Sequence, residues 1–252
     1  MIPLKQDLSI YNKLNLDYPP VGIKYEFHKP EGVEPLGEES LSFCEMIKEA
    51  QKKGTPFYFT QENENCFGTI GLGMMEAPPN LEAGHLGVKF ELFQDARANN
   101  HLYQFLPTME KGTVNYVALS TLDKLTFDPD LLVLMAKPGQ AEIVLRAMSY
   151  STGEIWEAKK TGVLGCSWLF IYPYKSGKVN YTATGLSFGM KAHQVFPEGY
   201  ILISIPYQKL PMITQNLREM KWDLPSFTET REEFLKIKER FMGEIVQESQ
   251  NP

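Results

Sequence analysis

The sequence predicts a mixed α/β protein made of two related halves that pack about a pseudo-twofold axis around a shared central cleft. Three observations predict it. Segments with strand period and segments with helix period interleave along the chain. Two short patterns recur in the same order. Gly112-Thr113-Val114-Asn115-Tyr116-Val117-Ala118 reads like Gly177-Lys178-Val179-Asn180-Tyr181-Thr182-Ala183, and Asp128-Pro129-Asp130-Leu131-Leu132-Val133-Leu134 reads like Phe196-Pro197-Glu198-Gly199-Tyr200-Ile201-Leu202-Ile203. Upstream, Glu45-Met46-Ile47-Lys48-Glu49-Ala50 before Gly54 has the shape of Glu142-Ile143-Val144-Leu145-Arg146-Ala147 before Gly153. Each half then reaches a cysteine, in Asn65-Cys66-Phe67-Gly68 and in Gly165-Cys166-Ser167-Trp168. Duplication of a unit of roughly 65 to 100 residues, a small-domain size, accounts for these matches. It puts the first half at residues 1–136 with an insertion at 76–110, the second half at 137–215, and a helical extension at 216–252. Equivalent positions meet near such an axis, so Cys66 and Cys166 are candidates to share the cleft.

The elements follow from local patterns. Val21 to Phe27 alternates with period two after Pro19-Pro20 and predicts a strand. Ser42, with Glu45 three residues on, predicts a capped helix over Phe43 to Lys53. Pro56 to Thr60 predicts a short strand, and the apolar, glycine-rich run Cys66 to Met75 a buried helix. Strands are expected at 114–119, 131–135, 179–184 and 200–206, and helices at 140–150 and 208–220. Residues 163–171 fit a buried helix or a strand equally well. Thr228 to Gln247 predicts a charged amphipathic helix with Phe234, Ile237, Phe241 and Ile245 on one face.

Composition bounds the function. The chain has 252 residues, 43% hydrophobic and 22% charged, which is ordinary globular usage and long enough for a core without staples. Lys plus Arg is 25 against 31 Asp plus Glu, a net charge of −6. The basic pairs Lys52-Lys53 and Lys159-Lys160 are too short for a phosphate-binding stripe, so no nucleic-acid partner is expected. Small molecules or proteins are the expected partners. The opening Met1-Ile2-Pro3-Leu4-Lys5 breaks its apolar run too early for a signal peptide, and the apolar runs 131–136 and 168–174 are far short of a membrane span. A cytoplasmic location without membrane contact is expected.

Three cysteines, Cys44, Cys66 and Cys166, are an odd number and show no Cys-x-x-Cys spacing. Neither a disulfide framework nor a compact zinc pattern is indicated. A metal site must gather its ligands from distant segments. Thiolates suit iron–sulfur clusters or zinc, and three cysteines leave one iron of a four-iron cluster open to a fourth group. Gly68, Gly71 and Gly73 would let backbone approach such a group and donate N–H bonds to its sulfurs. The competing reading makes each cysteine a buried small hydrophobe. A Cys166–His193 nucleophilic pair has no local motif behind it. The glycine-rich run has neither the G-x-G-x-x-G order nor a Walker lysine, so a phosphate cradle is a weak reading. The insertion 76–110 reads as a lid, a surface decoration or a dimer contact.

The runs Ser42-Phe43-Cys44-Glu45-Met46-Ile47-Lys48-Glu49-Ala50, Glu64-Asn65-Cys66-Phe67-Gly68-Thr69-Ile70-Gly71-Leu72-Gly73-Met74 and Gly165-Cys166-Ser167 resemble the ArCR-type domain-of-unknown-function family 169. Pro19-Pro20-Val21-Gly22-Ile23-Lys24 is similar to the family's start, and the resemblance covers roughly residues 10–215. It implies no activity. It implies a Gly-x-Arg near Gly189-Met190-Lys191, where this chain has Lys191, without the bidentate fork of arginine.

The expected function is thus redox or small-molecule chemistry at a three-cysteine iron–sulfur or other metal centre with one open position. Cys44, Cys66 and Cys166 are the ligands, and Gly68, Gly71, Gly73, Lys191 and His193 line the ligand side. The residues leave open whether the protein is an enzyme. The alternatives are a non-enzymatic small-molecule or cofactor-binding protein with structural cysteines, and a homo-oligomeric scaffold that uses the last helix as its partner face.

Overall fold

A computed structural model describes residues 4–224 and 230–250, with the side chains of 244–250 left out. The chain forms two compact units, Met1–Arg218 and Glu219–Pro252. The first contains a mixed seven-stranded sheet in the order β2-β3-β4-β1-β5-β7-β6. Its strands are β1 Val21–Glu26, β2 Glu34–Pro35, β3 Phe57–Phe59, β4 Tyr116–Thr121, β5 Leu131–Ala136, β6 Asn180–Ala183 and β7 Ile201–Pro206. Every adjacent pair is antiparallel except β2 with β3. The expected mixed α/β class is what the chain adopts. The expected boundary between residues 136 and 137 falls inside this first unit, where β5 pairs with β1 on one side and β7 on the other.

All six residues of β5 are buried. Because side chains alternate across a sheet, both faces of this strand are covered. Leu131, Val133 and Met135 join Val21, Ile23 and Tyr25 of β1 in one core cluster. Over that cluster lies α1 (Phe43–Lys53), through Phe43, Met46, Ile47 and Ala50. Helix α6 (Pro138–Ser149) contacts β5 and β7, but its buried Ala141, Val144, Leu145, Ala147 and Met148 lie outside the cluster. It is joined to α9 (Leu210–Glu219) by Asn216 Nδ2, which donates to the Ala147 carbonyl at 2.8 Å.

α1 shows how directly sequence fixes an element. The Ser42 backbone N–H donates to Glu45 Oε2 at 2.8 Å, and the Glu45 N–H donates to Ser42 Oγ at 3.4 Å, which completes the expected capping box. Gly54 ends the helix in the left-handed region at φ 65°. Of the ambiguous stretch 163–171, residues 165–171 are helical. A π-helical turn, Ser167–Ile171, runs into α7 (Tyr172–Ser176), with the Tyr172 N–H donating to the Ser167 carbonyl.

Of the run Cys66 to Met75 only residues 68–73 are buried, Met75 is exposed, and the helix α2 is only Gly68–Gly71. Between α2 and β4 the expected insertion folds as three short helices: α3 Pro79–Glu82, α4 His85–Lys89 and α5 Ala96–Tyr103. Its foot is fastened by the Met109 N–H to the Gly71 carbonyl at 2.7 Å and the Gly112 N–H to the Gly73 carbonyl at 3.2 Å. Helix α8 (Phe188–Ala192) lies between β6 and β7.

The second unit contains α10 (Arg231–Gln250), begun by Thr230, whose N–H donates to Glu233 Oε2 at 2.9 Å. Phe234, Ile237 and Phe241 of the expected apolar face are exposed; Thr228 and the Ile245 side chain lie outside the described residues. Among the described residues no helix is long and apolar enough to cross a membrane.

Two glycines separate backbone need from packing. A Cβ at Gly54 or at Gly139 meets nothing within 4 Å, yet only Gly54 has positive φ. Gly54→Ala is expected to lower stability by about 1 kcal/mol. Gly139→Ala, early in α6, is expected to raise it by about 0.5 kcal/mol. Urea denaturation measures both, and changes of the same sign would contradict this account.

Candidate functional site

The site is assembled from three helix starts. Cys44 is the second residue of α1. Cys66 lies two residues before α2, and Cys166 immediately precedes the π turn. Orphan N–H groups and the positive end of the helix dipole are found at such positions and favour thiolates.

Glu64 binds the first two starts together. Its Oε1 accepts from the N–H groups of Phe43 and Gly68, each at 3.2 Å. Its Oε2 accepts from Cys66 at 3.1 Å and Thr69 at 3.4 Å. Burial pushes this carboxyl above its ordinary range, against the pull of the four N–H donors. Gly68 is required here, since a Cβ would stand 2.6 Å from Glu64 Oε1 and 3.0 Å from Phe43 Cβ.

The third start is brought in by packing. The rings of Phe43 and Phe170 lie 4.8 Å apart, and both residues are fully buried. Such a pair contributes about 1 kcal/mol beyond burial of its area. The Tyr25 hydroxyl donates to the Phe170 carbonyl at 2.6 Å, and Asn180 Nδ2 donates to the Trp168 carbonyl at 2.7 Å. Gly71 leaves room for Ser167 and Ile171.

All three cysteines consequently line one cavity of about 260 Å³. They are free thiols, Cys44 buried and the other two partly exposed. A hydrogen bond donated by Cys166 holds the Cys44 thiol below its ordinary range, against burial and with help from Ser42. Ser42 Oγ is 3.2 Å from Cys44 Sγ. The same contact, then burial, pushes Cys166 well up. Burial pushes Cys66 up to about 11. Cys44 is the thiol poised to ionise.

Across the cavity the insertion forms a lid. Leu81, Leu86, Gly87, Phe90, Leu92 and Tyr103 line it from α3–α5 and the segment between α4 and α5. The rings of Phe90 and Phe188 meet at 5.1 Å, which ties the lid to α8. Within the lid, Asn99 Nδ2 donates to the Gly84 carbonyl at 2.9 Å and Asp95 caps α5 through the Ala98 N–H at 2.8 Å. His193 also lines the cavity, its Nδ1 3.5 Å from Glu45 Oε1. Burial works against the Glu45 carboxylate, but the Ser42 hydroxyl and N–H, with His193, hold it below its ordinary range.

Of the residues singled out in the sequence, Cys44, Cys66, Cys166, Gly68 and His193 meet at this cavity. Gly71, Gly73 and Lys191 do not line it. Gly71 serves helix packing, and Gly73, at φ 68°, lets the foot of the lid pass, since a Cβ would stand 2.7 Å from the Glu110 carbonyl oxygen. Lys191 is exposed on α8, 3.7 Å from Glu198. Glu64 and the lid side chains carry no motif. The one available signal was an acidic residue two positions before a cysteine in a glycine-rich, apolar run.

Fold and site define a mixed α/β protein with a lidded, three-cysteine cavity. The chain belongs to the domain-of-unknown-function family 169, described as uncharacterised ArCR, whose model matches residues 9–216. No curated protein and no solved structure matches it.

The thiol order predicts a pH dependence. Alkylation of Cys44 by iodoacetamide is expected to reach half its maximal rate below the ordinary thiol range, and that of Cys66 near pH 11. Cys166→Ala removes the donor and moves the Cys44 midpoint upward; Cys166→Ser, whose hydroxyl donates, moves it less. Peptide mass spectrometry across pH reads each site, and a Cys44 midpoint unchanged in Cys166→Ala would refute the assigned donor.

Proposed function

We propose that this protein holds an iron–sulfur cluster, or another metal centre, on Cys44, Cys66 and Cys166, with one coordination position open to a small molecule in the cavity. The observation that carries this reading is the convergence of three cysteines, far apart in sequence, on one cavity at three helix starts. The backbone there supplies positive ends for the anionic sulfurs, and Gly68 gives close approach. Among the described residues, no group of three or more His, Cys, Asp or Glu could hold a metal ion. That speaks against any single ion held by three such side chains in this arrangement, zinc included. A cluster distributes its thiolates over different irons. The chemistry such a centre supplies is electron transfer or activation of a molecule at its open iron. Cys44, already inclined to ionise, would bind first.

A second reading has its own support. Three free thiols and the apolar lid also suit a small-molecule binding protein with reduced, unliganded cysteines.

The two-half architecture belongs to this reading in a form that differs from the sequence matches. Those matches pair β4 with β6 and β5 with β7. β4 and β6 run the same way while β5 and β7 run opposite ways, so no single rotation relates both pairs. What favours another pairing is the strand order β3-β4-β1 followed by β5-β7-β6. A twofold axis perpendicular to the sheet between β1 and β5 would exchange β1 with β5, β3 with β6 and β4 with β7, with consistent directions and chain order. In that scheme Cys44 and Cys166 are counterparts, each near the start of a helix between the central and the edge strand. Cys66 corresponds to the start of α8, and α6 is an addition to the second half.

Anaerobic purification with iron and sulfide analysis tests the centre. The expected protein is brown, with iron and acid-labile sulfide, and Cys166→Ser loses both while circular dichroism stays unchanged. Lys191→Ala retains them. Colourless, iron-free protein whose composition ignores the cysteine substitutions would overturn the centre and leave the binding protein.

A further inference from the structure

The cavity is selective by what it lacks. Among the described residues, no Lys, Arg, Asp or Glu side chain lines it. A phosphate, carboxylate or ammonium entering it would lose its hydration and meet no counter-charge, which is strongly unfavourable. Aside from the thiols, the polar side chains are Tyr103, Ser167 and His193. The rest of the wall is Leu, Val, Phe, Met, Ala and Gly, much of it from the lid. An apolar cavity of about 150 Å³ accommodates benzene; this one, of about 260 Å³, has room for a substituted ring or a short branched chain.

We infer that the molecule admitted is small, uncharged and largely apolar, with one hydrogen-bonding group, and that the lid residues Leu86 and Phe90 limit its size. The class follows from the lining: the apolar body lies against the lid and α8, and the polar group faces His193 or Tyr103. Nucleotides, sugar phosphates and organic acids are excluded. The inference rests on the reading of this cavity as a ligand site and does not depend on the metal.

The test uses the full chain, anaerobically purified, and the same protein after iron removal. Isothermal titration with phenol, 4-methylphenol, 4-ethylphenol and 4-propylphenol is compared with 4-hydroxybenzoate and phenyl phosphate. Affinity is expected to rise about fourfold per added methylene until the cavity is full, with no binding of the two charged compounds. Phe90 is half-exposed, so Phe90→Ala keeps the fold. Phe90→Ala and Leu86→Ala are expected to weaken 4-propylphenol several-fold and phenol much less. Equal binding of the charged analogues, affinity independent of chain length, or binding unchanged in both variants would each overturn the inference. Protein that is iron-free as anaerobically purified and binds the phenols would refute the cluster alone. Brown protein that binds none of them would refute this inference alone.

Discussion

Glu64 is the point on which the site depends. A carboxylate buried away from water is costly unless its lone pairs are filled. Here four backbone N–H groups fill them, from Phe43, Cys66, Gly68 and Thr69. Phe43 opens α1, and Gly68 and Thr69 open α2, so one side chain caps two helices whose first donors would otherwise be orphaned. Hydrogen bonds to a charged acceptor are stronger than neutral ones. The geometry also forbids a side chain at Gly68. Cys44 and Cys66 inherit their positions from this arrangement: the first follows a residue that donates to Glu64, and the second donates to it.

Cys166 is positioned by different forces. Among the described residues no carboxylate is shared with its helix; the Phe43–Phe170 contact, the Tyr25 hydroxyl on the Phe170 carbonyl and Asn180 on the Trp168 carbonyl position it. The π turn leaves carbonyls free of the usual helix ladder, and these side chains satisfy two of them. The floor of the cavity is therefore held by sheet and core. The lid is fastened at its foot and by its own internal bonds, with Phe90 on Phe188 as a link across. A rigid floor under a separately organised cover is the arrangement that lets a site be shaped in advance and still admit a ligand.

Much of the fold was legible because its signals are local. The capping box at Ser42 and Glu45 fixed α1 at its first residue, and Gly54 marked its end. Period-two alternation after Pro19-Pro20 located β1 to within a residue, and short apolar runs located β5 and β7 as closely. The stretch 163–171 was undecidable because a fully buried helix and a fully buried strand are both apolar throughout. The duplicated patterns were local too: Val-Asn-Tyr opens both β4 and β6, but strand pairing is not written in such a pattern, and the sheet sets these strands in unlike positions. At the site, the cysteines and Gly68 were found by chemistry and His193 by its place near them. Glu64 was missed because its role is to accept from backbone, which leaves no side-chain signature. Lys191 stands where the resemblance implies an arginine, and its charge keeps it in water beside Glu198.

The three thiols are alike in sequence and unlike in the fold, and that difference governs what the cavity can bind. The contact with Cys166 draws Cys44 toward the thiolate and pushes Cys166 the other way, with burial, while burial pushes Cys66 up. An uncharged ligand can enter with all three sulfurs as they are. A metal centre must displace the protons of its ligand thiols. It does so only if it is a Lewis acid soft enough to make metal–thiolate bonds that outweigh desolvated S–H groups. Hard cations such as magnesium or calcium find no oxygen cage on this wall, because the carboxylates nearest to it are already engaged: Glu64 by four N–H groups, and Glu45 by Ser42 and His193. The protein's own hydrogen bonding thus restricts any inorganic occupant to the thiophilic metals. The uncharged lid restricts what could approach that occupant to molecules of low polarity.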